Sequence, residues 1–125
     1  MILVDTSSWI HMLRRDGDPA TRARVEKALQ SGEACWCPIV RLELWNGAGG
    51  NRAKKVIRDF ERLLPELAIT DPVWAEACDL ARRARVAAVT IPATDLLIAS
   101  CARHYSAELE TVDSDFALLS KLATG

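Results

Sequence analysis

The chain has 125 residues, 16 Lys and Arg against 17 Asp and Glu, a formal net charge of -1, and 50% apolar residues. That balance excludes a disordered chain and predicts a single domain over residues 1–125 whose core needs no disulfide staples. It also excludes a protein held on nucleic acid by bulk positive charge, while leaving room for a local basic rim.

The longest apolar run near the start is Ile2 to Val4, far short of the roughly 20 residues that span a bilayer, and no basic-then-apolar leader opens the chain. Cys35, Cys37, Cys78 and Cys101 read as free thiols rather than a framework, so a cytoplasmic protein without a membrane partner is expected.

Ile2 to Val4 predicts a central strand covered on both faces, followed by a helix beginning near Ser7. Asp18 and Pro19 mark the cap and first position of a second helix, with Gly32 just past its end. Ala34 to Cys37 predicts the next strand, and Pro38 opens a helix through Trp45 that Gly47, Gly49 and Gly50 stop. Residues 51–64 carry Val56, Phe60 and Leu63 or Leu64 on one helical face, and Pro65 ends that helix. Leu67 to Ile69 is expected as a third strand. Asp71 and Pro72 start a helix with Trp74, Cys78, Ala81 and Arg85 along one side. Pro92 starts another, apolar nearly all round at Leu96 to Ala99 and therefore central. Leu109 and Val112 flank a fourth strand, and Phe116 to Leu122 forms a terminal helix. This alternation predicts an α/β fold with a mostly parallel sheet.

Four carboxylates stand out. Asp5 directly follows the first strand, at the sheet edge where open α/β folds bind ligands, although it also suits a helix cap. Glu43 shares a helix face with Ile39 and Val40, where a charge is costly unless coordinated or paired, for example with Arg41. Asp95 sits in a first helical turn, where the helix dipole alone favours it by ~0.3–1 kcal/mol. Asp113 follows the last strand, and Asp115 either joins it or caps the final helix with Ser114. A parallel sheet would bring these acids together, and converging like charges call for a divalent cation. Oxygen donors without histidine suit Mg²⁺ or Mn²⁺ rather than zinc.

The segments ILVDTSSWI, PIVRLELWNG, IPATDLLIASCA and LETVDSDFALL together resemble the PIN-domain ribonucleases, and more closely the VapC-type toxins of bacterial toxin–antitoxin pairs. The resemblance covers nearly the whole chain. It implies a three-layer α/β/α fold around four or five short strands. Asp5, Glu43, Asp95 and Asp113 would be the acidic quartet that holds one or two Mg²⁺ or Mn²⁺ ions. Asp5 and Asp95 match the principal ligands, while Glu43 and Asp113 complete the pocket, often through water. Thr6 matches a small polar position beside the metal, and Asp115 an acidic position of variable role. The implied activity is hydrolysis of RNA by metal-activated water. The implied partners are an antitoxin that blocks the cleft and a second copy in a homodimer. One departure is that no apolar run for a fifth strand follows the last helix before Gly125.

An acidic cleft needs cations around it to receive RNA. Arg14 and Arg15, the group Arg52, Lys54, Lys55 and Arg58, and the group Arg82, Arg83 and Arg85 are candidates, each also readable as a solvated helix face. Trp9 and Trp45 suit base stacking, a partner patch with Ile10 and Leu13, or core or dimer packing, the last being favoured. Competing readings are weaker. His11 and His104 lack acid–base neighbours, and Cys35, Cys37, Cys101 and His104 lack zinc spacing. A receiver-type phosphoacceptor would want an Asp after a central strand, where Cys37 and Pro38 stand. A catalytically silent RNA-binding module of the same fold is the main alternative.

Overall fold

In the computed structural model the described residues are 1–124; Gly125, to which the fifth-strand expectation extends, lies outside them. Strand β1 (Ile2–Val4) is the middle of a parallel sheet ordered β2-β1-β3, with β2 at Ala34–Cys35 and β3 at Glu108–Glu110. Ile2 stands opposite both Ala34 and Glu108, and Leu3 opposite both Cys35 and Leu109. Successive side chains of a strand point to opposite faces. Leu3 and Val4 are both fully buried, so helices cover both sides and the expected α/β/α layering holds.

Seven helices are present among the described residues: α1 (Thr6–Leu13), α2 (Pro19–Gln30), α3 (Pro38–Gly47), α4 (Asn51–Leu63), α5 (Asp71–Val86), α6 (Ala93–His104) and α7 (Asp115–Thr124). The cap-and-proline start of α2 works as expected, whereas the cap of α5 is Thr70 rather than Asp71, and α6 starts at Ala93 with Pro92 as its cap. The Asp18 carboxylate accepts from the Thr21 amide at 2.9 Å and its hydroxyl at 2.8 Å, with Pro19 in the first turn, where no amide hydrogen is needed. Helix α6 is buried at every position from Asp95 to Ala102, which makes it the central helix its composition predicts. No helix of the described residues is long and apolar enough to cross a membrane.

The sheet is smaller than the four or five strands expected. Leu67 to Ile69 forms no strand; only a single parallel bridge joins Trp36 to Glu66. The Trp36 amide donates to the Pro65 carbonyl at 3.2 Å and the Leu67 amide to the Trp36 carbonyl at 2.8 Å. The next rung would require an amide hydrogen on residue 38, which is Pro38, so the ladder stops there. The Cys101 thiol instead donates to the Leu67 carbonyl at 3.7 Å. Strand β2 ends at Cys35 rather than Cys37. The last strand ends at Glu110, two residues earlier than the expected limit at Val112.

Gly17, in the α1–α2 turn, is a close-approach glycine. A Cβ there would lie 1.9 Å from the His11 carbonyl oxygen, so backbone must move to admit it. Gly17→Ala is expected to destabilise the fold by about 1–3 kcal/mol, read as a lowered urea midpoint at unchanged slope.

Candidate metal centre

Asp5 is both strand end and helix cap. Its amide extends the β1 ladder by donating to the Glu110 carbonyl at 2.8 Å, and its Oδ2 accepts from the Ser7 amide at 3.3 Å. It is only 3% exposed. The same Oδ2 accepts from the Ser7 hydroxyl at 2.6 Å and the Thr111 hydroxyl at 3.0 Å.

From α3, Glu43 Oε1 accepts from the Thr6 hydroxyl at 2.8 Å. Burial pushes the Glu43 carboxyl up; Thr6 opposes that and the Asp5 charge adds to it. Arg41 is not the partner of Glu43, because its guanidinium is held by Glu66 at 2.8 Å and Glu61 at 3.6 Å.

Asp95 lies in the first turn of α6 and is 8% exposed. Burial first, then the charges of Asp113 and Asp5 and a hydrogen bond with Asp115, push its pKa up to about 7. Asp113 arrives on the loop after β3, three residues beyond the strand rather than at its last rung. Its Oδ1 accepts from the Asp115 amide at 2.9 Å and so fastens the start of α7.

One carboxylate oxygen each from Asp95, Asp113 and Asp115 lie within 4.8 Å of one another. The closest grouping therefore includes Asp115, which sequence left open. Asp5 flanks it, its charge acting on both Asp95 and Glu43. Such crowding keeps a proton on Asp95 near neutral pH, and a small divalent cation relieves the same repulsion. Oxygen-only donors fit Mg²⁺ or Mn²⁺.

Glu110 is absent from this grouping. Its carboxylate accepts from Ser8 at 2.8 Å and pairs with Arg24 at 2.7 Å, which ties α1 and α2 to β3. Sequence reasoning missed Glu110, Ser7 and Thr111. The only available signal for the last two was a hydroxyl residue two positions from each strand-end aspartate.

The expected basic rim divides. Arg82 and Arg83 both pair with Asp79, at 3.2 and 3.1 Å. Among the described residues no ion pair engages Arg14, Arg15, Arg52, Lys54, Lys55, Arg58 or Arg85. Trp9 is fully buried, so it offers no surface to bases or to a partner patch with Ile10, Leu13 and Trp45. Trp45 instead donates its indole N–H to Glu61 at 3.2 Å. The histidines are engaged elsewhere: His11 Nδ1 accepts from the Asp18 amide at 2.9 Å, and His104 stacks edge-on against Tyr105. Cys35, Cys37 and Cys101 are fully buried, and the hydrogen bond that Cys101 donates to Cys37, then burial, keep the Cys101 thiol protonated. They form no metal-binding group among the described residues.

A family model described as PIN domain matches residues 2–122. Ribonuclease VapC11 of Mycobacterium tuberculosis and a VapC ribonuclease of Mycobacterium bovis are each 27% identical over 125 residues, covering 98% of this chain and 93% of theirs. Among solved structures, FitAcB from Neisseria gonorrhoeae is similar at a TM-score of 0.77 and 22% identity, over 97% of this chain and 94% of that one. VapBC2 from Rickettsia felis, bound to a promoter DNA fragment, is similar at 0.72 and 19%, over 87% and 85%.

Proposed function

Because the chain belongs to the PIN domain family, we propose that it is a Mg²⁺- or Mn²⁺-dependent endoribonuclease toxin of the VapC type. The observation that carries this reading is the partly buried gathering of Asp95, Asp113 and Asp115 beside Asp5 and Glu43, with the Asp95 pKa raised to about 7 by burial and by its acidic neighbours. The names of the similar curated proteins support RNA as the substrate.

Asp5, Asp95 and Asp113 would hold the cation, with Asp115 as a further oxygen donor. When bound, a divalent cation supplies charge neutralisation at the scissile phosphate and lowers the pKa of an attacking water. Glu43 accepts the proton of that water; its partial burial raises its basicity, and the Thr6 hydroxyl fixes which oxygen remains free. Oxygen–phosphorus bond formation by water, with departure of the 3′-oxygen, leaves a 5′-phosphate and a 3′-hydroxyl. Arg14, Arg15, Lys54, Lys55 and Arg85 are the cations available to RNA phosphates, and Arg82 and Arg83 must first leave Asp79.

The proposed protein partners are a cognate antitoxin that covers the cleft and a second copy in a homodimer, acting in the cytoplasm. Support for the antitoxin is that the similar solved structures include VapBC and FitAB complexes.

Excess EDTA is expected to abolish cleavage of a single-stranded RNA, and Mn²⁺ in excess of the chelator to restore it, with 5′-phosphorylated ends on the products. Full activity in chelator, or 2′,3′-cyclic ends, would remove the metal-activated water from consideration. Equal inertness of wild type and Asp5→Asn, with RNA binding retained, would favour the silent binding module.

A further inference from the structure

We infer that Ser7 and Thr111 form a hydroxyl clamp that positions Asp5, committing its Oδ2 to the protein and leaving Oδ1 for the cation. The inference rests on the reading of the acidic cleft as a metal centre. Helix capping alone does not account for the geometry. A cap needs only the Ser7 amide, whose contact with Oδ2 is the longest of the three at 3.3 Å. The shorter contacts come from two hydroxyls, Ser7 at 2.6 Å and Thr111 at 3.0 Å, the second delivered by the neighbouring strand's end, on the segment after β3 and far from Asp5 in sequence.

Proton bookkeeping makes the pair act as a unit. A hydroxyl has one hydrogen to donate and lone pairs to accept with. Both hydrogens go to Asp5 Oδ2. The 3.2 Å contact between the two hydroxyl oxygens therefore carries none. Their lone pairs take backbone amides of the next loop. Thr111 Oγ1 accepts from Asp113 at 3.0 Å, and Ser7 Oγ accepts from Val112 at 3.3 Å. The residues that fix Asp5 thus also fix the path of the loop that brings Asp113. Through Asp113 Oδ1 and the Asp115 amide, 2.9 Å apart, that control extends to Asp115. Among the described residues no hydrogen bond reaches Asp5 Oδ1. Outer hydrogen bonds of this kind set ligand orientation, and their removal typically weakens metal binding about 10–100-fold.

The test is a calorimetric titration of the intact protein with Mn²⁺ alone, without RNA, on wild type, Thr111→Val, Thr111→Ser and Ser7→Ala. Thr111→Val is expected to weaken Mn²⁺ binding about 10–100-fold while the metal-free melting temperature stays close to wild type. Thr111→Ser, which keeps the hydroxyl, restores wild-type affinity. Ser7→Ala reports the other half of the clamp and carries the test should Thr111→Val not fold. Wild-type affinity in both Thr111→Val and Ser7→Ala overturns the clamp and leaves the metal centre standing. Loss in Thr111→Val that serine does not restore also overturns it, because packing rather than the hydroxyl is then responsible. If wild type itself binds no Mn²⁺, the metal-centre reading fails and takes the clamp with it.

Discussion

Asp95→Asn is expected to cut RNA cleavage by about 10³-fold and, in the metal-free protein, to raise stability rather than lower it. The two effects have one cause. Asp95 is held at a pKa of about 7 by burial and by Asp113, Asp5 and Asp115, against an ordinary value of 3.8. The folded state therefore keeps a proton that the unfolded chain has already released between those limits. For this group, stability is greatest below the unfolded value, falls as pH rises towards 7, and stays low above it. A shift of about three units corresponds to at most ~4 kcal/mol of penalty at pH 8. Asparagine removes the charge and can still donate to Asp115. It recovers a good part of that penalty, about 2 kcal/mol, or roughly 5–10 °C in melting temperature for a chain of this size. Calorimetric scans in chelator at pH 8 and pH 5 check the sign, since the advantage of asparagine must shrink at the lower pH. Added Mn²⁺ should reverse the ranking at pH 8 by stabilising wild type alone. A variant that is less stable than wild type in chelator at both pH values would show that Asp95 serves the fold rather than a cation.

The elements that local chemistry determines were legible in the sequence. Pro19, Pro38 and Pro72 announce helix starts, and the unbroken apolar run at Leu96 to Ala99 marks the buried helix α6. Convergence of Asp5, Asp95 and Asp113 followed from a parallel sheet, because such a sheet delivers its strand ends to one edge. What depended on a long-range partner was not legible. Leu67 to Ile69 has the composition of a strand, yet Pro38 on the neighbouring segment withholds the amide its ladder needed. Asp113 fastens the first turn of α7 by a local Asx-type contact that its spacing allows. Whether the Asp115 side chain then turns into the cluster depends on where Asp95 stands, which spacing does not give. Arg82 and Arg83 were readable as phosphate contacts or as a solvated helix face, and one turn of helix puts Asp79 beside both.

Trp9 shows the same limit from the opposite side, and its replacement is expected to cause the largest loss of stability of any single change considered. Its position one turn into α1, close to Asp5, suited a base-stacking surface as well as a core. The structure buries it completely, with its ring 4.7 Å from Phe60, which in turn meets Trp36 edge-on at 6.2 Å. Trp9→Ala opens a cavity between α1 and α4 and should cost about 3–5 kcal/mol. That is a large share of the ~5–15 kcal/mol that usually holds a domain together. Trp9→Phe behaves differently. It loses part of the ring volume, but it also removes an indole N–H that finds no hydrogen-bond partner among the described residues, a defect worth about 1–3 kcal/mol. These terms largely offset, so Trp9→Phe should lie within about 1 kcal/mol of wild type in urea unfolding. RNA affinity separates packing from stacking. Trp9→Phe should bind a single-stranded RNA as wild type does, whereas a tenfold loss at unchanged stability would mean that the ring reaches the substrate after all.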